Sequence, residues 1–369
     1  MNLNTQNNHP LIPREQNYIV DRKLLTVHSE DRDYSKWPKA NHFEIILPES
    51  YTNIQSMRLV EISLPCNYYT FSNYNQNTKL SFKINPQDPT DLFYDTLNTY
   101  YDNFSITIQE GYYTPDEFAL EIQNKMNYEI TNFIGTTYDR FRVFYDKVAQ
   151  KIWFGNTTDK FELTFDNKII YDLPPCEQAN IWCQYTKWGL PSYIGFNKET
   201  YTSESSNTPI TFDYLDNNVW LDPSGSDVWY VKAPLTINIL GEKAIYMEVD
   251  KYNSYDELYP YSEATSNVYG NDYGGRVKSA FAKIPITSFP NGHGDYGMVF
   301  DSRNASLQNV TQFLPPLERI QKFKFKFRYH DGRLVDFHEI PFNFTIEINQ
   351  LKNEILKKCN IRMPALYNL

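Results

Sequence analysis

Glycine is scarce in this chain, at 14 of 369 residues, whereas tyrosine reaches 30, phenylalanine 24 and proline 21. That balance suits many short, proline-bounded strands. No apolar run approaches the roughly 18 residues that cross a bilayer, so no transmembrane segment is expected. The N-terminal MNLNTQNNHPLIPREQN lacks the charged-then-apolar order of a secretory signal. Positive charge is also short. Lys+Arg total 35 against 45 Asp+Glu, for a net charge of -10 and a pI near 5.2. A nucleic-acid binder needs a positive field to displace counterions, so direct nucleic-acid binding is not expected. The four cysteines, Cys66, Cys176, Cys183 and Cys359, form no CxxC pair and have no histidines at zinc spacing. Reduced thiols are the default reading, with a Cys176–Cys183 disulfide as the alternative. GxxxxGK[ST], GxGxxG and GxSxG are all missing, and no repeat of 20–50 residues is visible. Neither a cofactor nor an enzymatic activity is expected.

What is present is aromatic alternation. In IQKFKFKFRYHDGRLVDFHEIPFNFTIEI, Ile320–Ile348, the side chains Phe323, Phe325, Phe327 and Tyr329 alternate with Lys322, Lys324, Lys326 and Arg328. A period of two puts the rings on one strand face and the cations on the other, a face read as solvated. A three-residue loop, His330-Asp331-Gly332 with Gly332 at positive φ, sets Phe327 opposite Val335 and Phe325 opposite Phe337. A two-residue loop would oppose Phe327 to Asp336 instead. After Pro341 a third strand alternates Phe342, Phe344, Ile346 and Ile348 with polar residues. The expectation is a β-meander with one oily face that a second sheet must cover.

Earlier in the chain, residues 1–21 read as an extended arm. Leu24–Val27 is a short strand, and Ser29–Asp33 a charged turn. Phe43, Ile45 and Leu47 alternate up to Pro48. A second strand, Gln55–Leu64, is apolar on both faces through Met57 and Leu59 against Val60, Ile62 and Leu64, so it should be central. Leu80–Ile84 and Phe104–Ile108 are strands. Thr114-Pro115-Asp116-Glu117 is a capping box with proline at the first helical position, followed by the stripe Phe118, Ile122 and Met126. A hairpin spans Arg140–Tyr145 and Lys151–Phe154. Phe161–Phe165 is a further strand, and Leu190–Phe196 closes this α+β module. Strands resume at Leu235–Ile239 and Ile245–Val249, then around Ile284 and Val299. A helix is expected from Gln350 to Lys358.

Residues 251–278 repeat tyrosine among small polar residues, as binding loops do. Tyr252, Tyr255, Tyr259, Tyr261, Tyr269 and Tyr273 are the candidate interaction residues. His330 and His338 beside Asp331 and Asp336 are a conceivable metal site, and Asp222–Asp227 a conceivable calcium turn without a calcium loop's spacing. Turn chemistry and sheet pairing explain the histidine pair without a metal. A carboxylate pair for glycoside hydrolysis cannot be read from sequence, because it depends on separation in space.

Several phrases together resemble a known family. They are Ser29-Glu30-Asp31-Arg32-Asp33 through Trp37-Pro38, Phe43-Glu44-Ile45, and Leu64-Pro65. Further along come Ile106 to Thr114, Leu240-Gly241-Glu242, Ala282-Lys283-Ile284-Pro285, and Phe327 to Phe337. Over most of residues 24–349 the chain resembles jelly-roll virion proteins of the nucleocytoplasmic large DNA viruses, the giant viruses of algae and protists. The resemblance implies a mainly β fold: a discontinuous antiparallel jelly-roll β-sandwich with an inserted small α+β module. The jelly roll is expected from residues 22–70 plus 235–349, the insertion from 71–234, and a C-terminal helix and tail from 350–369. Its core is expected from Phe43, Ile45, Ile62, Phe323, Phe325, Phe327, Tyr329, Phe342, Phe344 and Ile346. The implied role is that of a minor capsid or penton component, located in the virion and assembled in the host cytoplasm. Its implied partners are the major capsid protein, other minor capsid proteins and copies of itself. Major capsid proteins of these viruses resemble two tandem jelly rolls, whereas this chain has one set of phrases. The competing reading is a β-sandwich adhesin, with Trp182, Trp188, Trp220 and Trp229 stacking on sugars.

Overall fold

The computed structural model describes residues 18–65, 69–100, 102–167, 188–214, 218–223, 227–256, 279–286, 297–301, 309–330 and 332–353. In chain order the strands begin β1 Tyr18–His28, β2 His42–Pro65, β3 Lys79–Asn85, β4 Phe104–Thr107, β5 Phe141–Asp146, β6 Lys151–Asn156 and β7 Lys160–Thr164. They continue with β8 Thr200–Thr202, β9 Glu204–Ser206, β10 Ile210–Thr211, β11 Val219–Leu221, β12 Val228–Lys232 and β13 Ala244–Val249. The last are β14 Tyr255–Asp256, β15 Ser279–Ala280, β16 Ala282–Pro285, β17 Gly297–Asp301, β18 Thr311–Arg328 and β19 Asn343–Asn353. The helices are α1 Tyr94–Asn98, α2 Pro115–Ile134 and α3 Leu190–Tyr193. Two compact units divide the chain. The first draws on Met1–Asn67, Ala244–Pro260 and Arg276–Leu369, the second on Tyr68–Lys243 and Tyr261–Gly275.

In the first unit an antiparallel sheet runs β1-β19-β2-β18-β13-β16, with β17 also on β2. Its spine is β2, which pairs with β18 along its N-terminal half and with β19 along its C-terminal half. Straight, a strand would hold Phe43 and Ile62 about 60 Å apart. Yet Phe43 lies 5.5 Å from Phe325, and Phe325 lies 4.8 Å from Phe344, which pairs with Ile62. The strand therefore bends until its two halves face each other across an aromatic core. This is a discontinuous antiparallel sandwich of the jelly-roll kind, with the second unit as its α+β insertion.

Bulges make the bend. Ile46 pairs with Lys322 and Tyr51 with Ile320, so β2 advances five residues while β18 advances two. Pro48 sits in that bulge, where the ladder asks nothing of its missing N–H. For this reason the chain does not break at Pro48 as the sequence suggests, and one 24-residue strand replaces the expected two. Two further register shifts against β19, at Gln55 and Val60, change the parity of β2. Ile54, Met57, Leu59, Ile62 and Leu64 all end up at most 2% exposed. The apparent two-faced strand is a one-faced strand with bulges, although it is central, flanked by β19 and β17.

Phe43, Ile62, Phe323, Phe325, Phe327, Phe342, Phe344 and Ile346 are 4% exposed or less, and Tyr329 is 7% exposed. Ile45, placed in the core from sequence, is half-buried. The hairpin loop has the anticipated register: Arg328 bridges Leu334, the Val335 amide bonds to the Phe327 carbonyl, and Gly332 has φ 90°. The meander beyond it does not form. His338 and Glu339 turn left-handed, at φ 48° and 59°, and end the second arm before Phe337 can pair with Phe325. Phe325 instead lies between Phe43 of β2 and Val249 of β13, while β19 inserts between β1 and β2. Nor is the basic row solvated throughout. Lys326 is 3% exposed and Arg328 0%; β13 pairs beside them and supplies Glu248 at 3.1 Å from Arg328 Nε. Tyr18–Asp21, expected in the arm, belong to β1, and Gln350–Asn353, expected to be helical, extend β19. The remaining helix and tail residues, 354–369, and arm residues 1–17 lie outside the described residues.

The second unit has sheets β4-β3-β7-β8 and β5-β6-β12-β9 and a hairpin β10-β11. Thr114 caps α2: its hydroxyl accepts from the Glu117 amide, and the Glu117 carboxylate accepts from the Thr114 amide. Phe118, Ile122 and Met126 are fully buried on one helical face. Residues 235–243 were expected in the jelly roll, with a strand at Leu235–Ile239. They carry no strand and belong here, tied by Leu235 N–H to the Gly195 carbonyl, Ile237 N–H to Gln150 and Asn238 N–H to Tyr193.

Candidate interaction surfaces

Of the six candidate tyrosines, Tyr252 and Tyr255 are described, and Tyr259, Tyr261, Tyr269 and Tyr273 lie outside the described residues. The Tyr252 ring packs edge-on to Phe313 at 6.1 Å and Phe323 at 5.9 Å, so it serves the core rim. Tyr255 is 37% exposed on β14. All four cysteines and Trp182 also fall outside the described residues.

The polar candidates are held in local turns. His338 lies 3.9 Å from Asp336 and donates its amide to the same side chain, whereas His330 lies against the Tyr246 ring. With Lys39, Asn41 and Glu339, the Asp336–His338 corner lines an open depression of about 360 Å³. Asp222 and Asp227 are described, but residues 224–226 between them are not. Among the described residues, no three His, Cys, Asp or Glu side chains are placed to hold a metal. No helix of the described residues is long and apolar enough to cross a membrane.

A buried charge cluster in the second unit was not anticipated. Arg140 binds Asp91 through both carboxylate oxygens and Asp159 at 2.9 Å, and its guanidinium lies 4.7 Å from the Phe93 ring centre. Tyr138 donates to Asp159 at 2.8 Å and accepts from Asn156. The hydrogen bond from Arg140 holds the Asp91 carboxyl below its usual range. Burial pushes Asp159 up despite the same arginine, and pushes the Tyr138 hydroxyl far above its usual range. Each group has a fixed partner, so the cluster clamps α1 and β7 onto β5 rather than passing protons. Its members are spread over 69 positions (Asp91 to Asp159), and spacing alone gives no sign of it.

Among the described residues, two partly exposed apolar surfaces bear on the candidate roles. On the second unit, Phe144, Trp153, Phe212, Tyr214 and Trp220 gather with ring centres 4.7–6.4 Å apart. Tyr214 is 41% exposed and Val219 40%. Of the described tryptophans read as sugar-stacking, Trp188, Trp220 and Trp229, Trp220 alone joins this patch. Trp188 is buried in the core, and Trp229 packs against that core with Lys160 5.8 Å from its ring centre. On the first unit, Val20 and Leu24 are 53% and 58% exposed on the outward face of β1, around an Arg22–Glu347–Arg58 ion cluster. Reading residues 18–21 as an arm concealed this face.

Solved structures that resemble the chain include two from viruses. One is the crystal structure of the mavirus penton protein, at 11% identity and a TM-score of 0.40, covering 90% of this chain and 99% of that one. The other is a chain of the Sputnik virophage structure from cryo-electron microscopy, at 12% identity and a TM-score of 0.37, covering 91% and 98%. No protein-family model matches the chain, and no curated protein does.

Proposed function

We propose that the chain is a structural protein of a virus particle, a minor capsid or vertex component of a large icosahedral DNA virus. It acts by contacts with the major capsid protein, other minor capsid proteins and copies of itself. One observation supports this most directly. Most of the virion-like phrases lie in the first unit, and the segment of the Phe43 phrase meets that of the Phe327–Phe337 phrase about 280 residues on: Phe43 pairs with Phe325, the Asn41 carbonyl accepts from the Phe327 amide, and the Asn41 side-chain amide donates to the Val335 carbonyl. Such a meeting of distant segments is what a shell fold shared with that family would require. The work is assembly, and icosahedral repetition lets individually weak contacts suffice. Tracing this chain in a density map of the intact particle tests the reading. Absence from purified particles would sink it.

The adhesin reading draws on the aromatic patch around Trp220. Its rings pack largely on one another, which leaves little free ring face for a sugar. Mild proteolysis of whole particles separates the two roles, because an adhesin is shaved off and a shell component is retained.

A further inference from the structure

At one end of the first unit's sheet lies β1, and among the described residues β19 is the strand bonded to it. Its other edge offers backbone N–H and C=O groups that a further strand can bind. Proteins usually blunt such edges with shortness, bulges or proline. This strand has 11 residues and no proline, and it pairs in unbroken register from Tyr18 opposite Asn353 to His28 opposite Asn343. The exposed Val20 and Leu24 stand on either side of Arg22, and so do the opposite charges Asp21 and Lys23.

We propose that β1 pairs antiparallel with β1 of a second copy of this chain, about a two-fold axis through Arg22. Ladder geometry restricts the register. Along a strand the outward-bonding residues alternate, so equal parity must oppose equal parity and the axis must pass through a residue. An axis at Asp21 or Lys23 sets like charges face to face with no opposite-charge pair to offset them. At Leu24 it opposes Lys23 to an aliphatic side chain and Arg22 to a threonine. Only at Arg22 does Asp21, which already pairs with Lys352 of its own chain, also face the partner's Lys23, twice, while Val20 faces the partner's Leu24, twice. Ile19 then faces the partner's Leu25. Arg22 meets the partner's Arg22 on the axis, but each carries its own counter-ion. Glu347 lies 2.7 Å from Arg22, and its side chain is 7% exposed beneath Arg22 and Arg58. The contact is isologous and closes at two copies.

Sedimentation equilibrium of the full-length protein tests this, with folding checked by circular dichroism. The wild type is expected to dimerise. Lys23→Asp and Asp21→Lys, taken singly, each raise the dissociation constant roughly tenfold or more, because attractive cross-strand pairs become repulsive. Mixed in equal amounts, the two variants form a heterodimer of near wild-type affinity, because each chain's like charges face the other's opposite ones. A second readout leaves these charges alone. Opposed residues of an antiparallel pair fall within disulfide reach, so Arg22→Cys is expected to give an oxidised dimer and Thr26→Cys none. A monomeric wild type, a dimer indifferent to Lys23→Asp, failure of the mixture to pair, or failure of Arg22→Cys to cross-link overturns the proposal. The interface stands apart from the virion reading. A monomer in solution leaves that reading intact, and a chain missing from particles leaves the dimer intact.

Discussion

Replacing Gly195 with alanine tests what holds residues 235–243 in the second unit. Gly195 sits at φ +85°, and an added Cβ would lie 2.3 Å from the Leu235 carbonyl oxygen and 2.7 Å from its carbon. Both are backbone atoms, so no side chain can swing aside. Gly135, the left-handed cap of α2 at φ +74°, has nothing within 4 Å of the same added atom. Left-handed strain costs either alanine about 1 kcal/mol. At Gly195 the Leu235 backbone must also retreat. That breaks the bonds from Leu235 N–H to Gly195, at 2.9 Å, and from Asn238 N–H to Tyr193, at 2.7 Å. About 1 kcal/mol for each bond, and a similar amount for loosening the buried Ile239, brings the total to about 4 kcal/mol. Hydrogen exchange read by mass spectrometry on the full chain measures it. Peptides from β6 and α2 should exchange about a thousandfold faster in Gly195→Ala, and about fivefold faster in Gly135→Ala. Peptides from β2 and β18 should keep their protection in both. Equal losses in the two variants would refute the steric account of this seam.

Other perturbations follow from the same structure. A Cβ on Gly155 would lie 2.9 Å from Trp220 Cη2 and 3.0 Å from Leu221 Cδ2, so Gly155→Ala should destabilise by about 1–3 kcal/mol. That cost should shrink in a Trp220→Leu background, and a double-mutant cycle in urea showing strict additivity would argue against the contact. Arg140→Leu leaves Asp91 and Asp159 facing each other in a buried site and should cost about 3–5 kcal/mol in denaturant titrations. A loss below about 1 kcal/mol would mean the cluster is solvated like a surface pair. The Glu117 carboxyl is held below its usual value by bonds from the Thr114 amide and hydroxyl. A lowered folded-state pKa contributes stability that is present above the unfolded value, near 4.5, and lost as pH falls through the lower folded one. Thr114→Ala should therefore cost about 1 kcal/mol at neutral pH and progressively less below pH 4.5, as melting curves across that range will show.

Signals confined to a few consecutive residues were legible in the sequence. The capping box at Thr114, the stripe Phe118–Ile122–Met126, the β5–β6 hairpin and the left-handed Gly332 all rest on bonds or contacts spanning at most sixteen positions. The aromatic alternation of β18 was legible for the same reason. The β1 face and the Asp91–Arg140–Asp159 cluster were not, since neither has a local pattern: one needs a neighbouring strand and the other joins three separate segments.

By itself, the order of residues determined where α2 starts, that the β5–β6 hairpin forms and which side of β18 is oily, because periodicity and capping act within a turn or a pleat. Tertiary structure alone decided which strands become neighbours. A strand's own residues do not select among equally apolar partners, so β19 could settle beside β2 rather than β18. Bulges at residues 47–50, Gln55 and Val60, which exist only once partners are in register, then turned a seemingly two-faced strand into a single bent wall around the phenylalanine core.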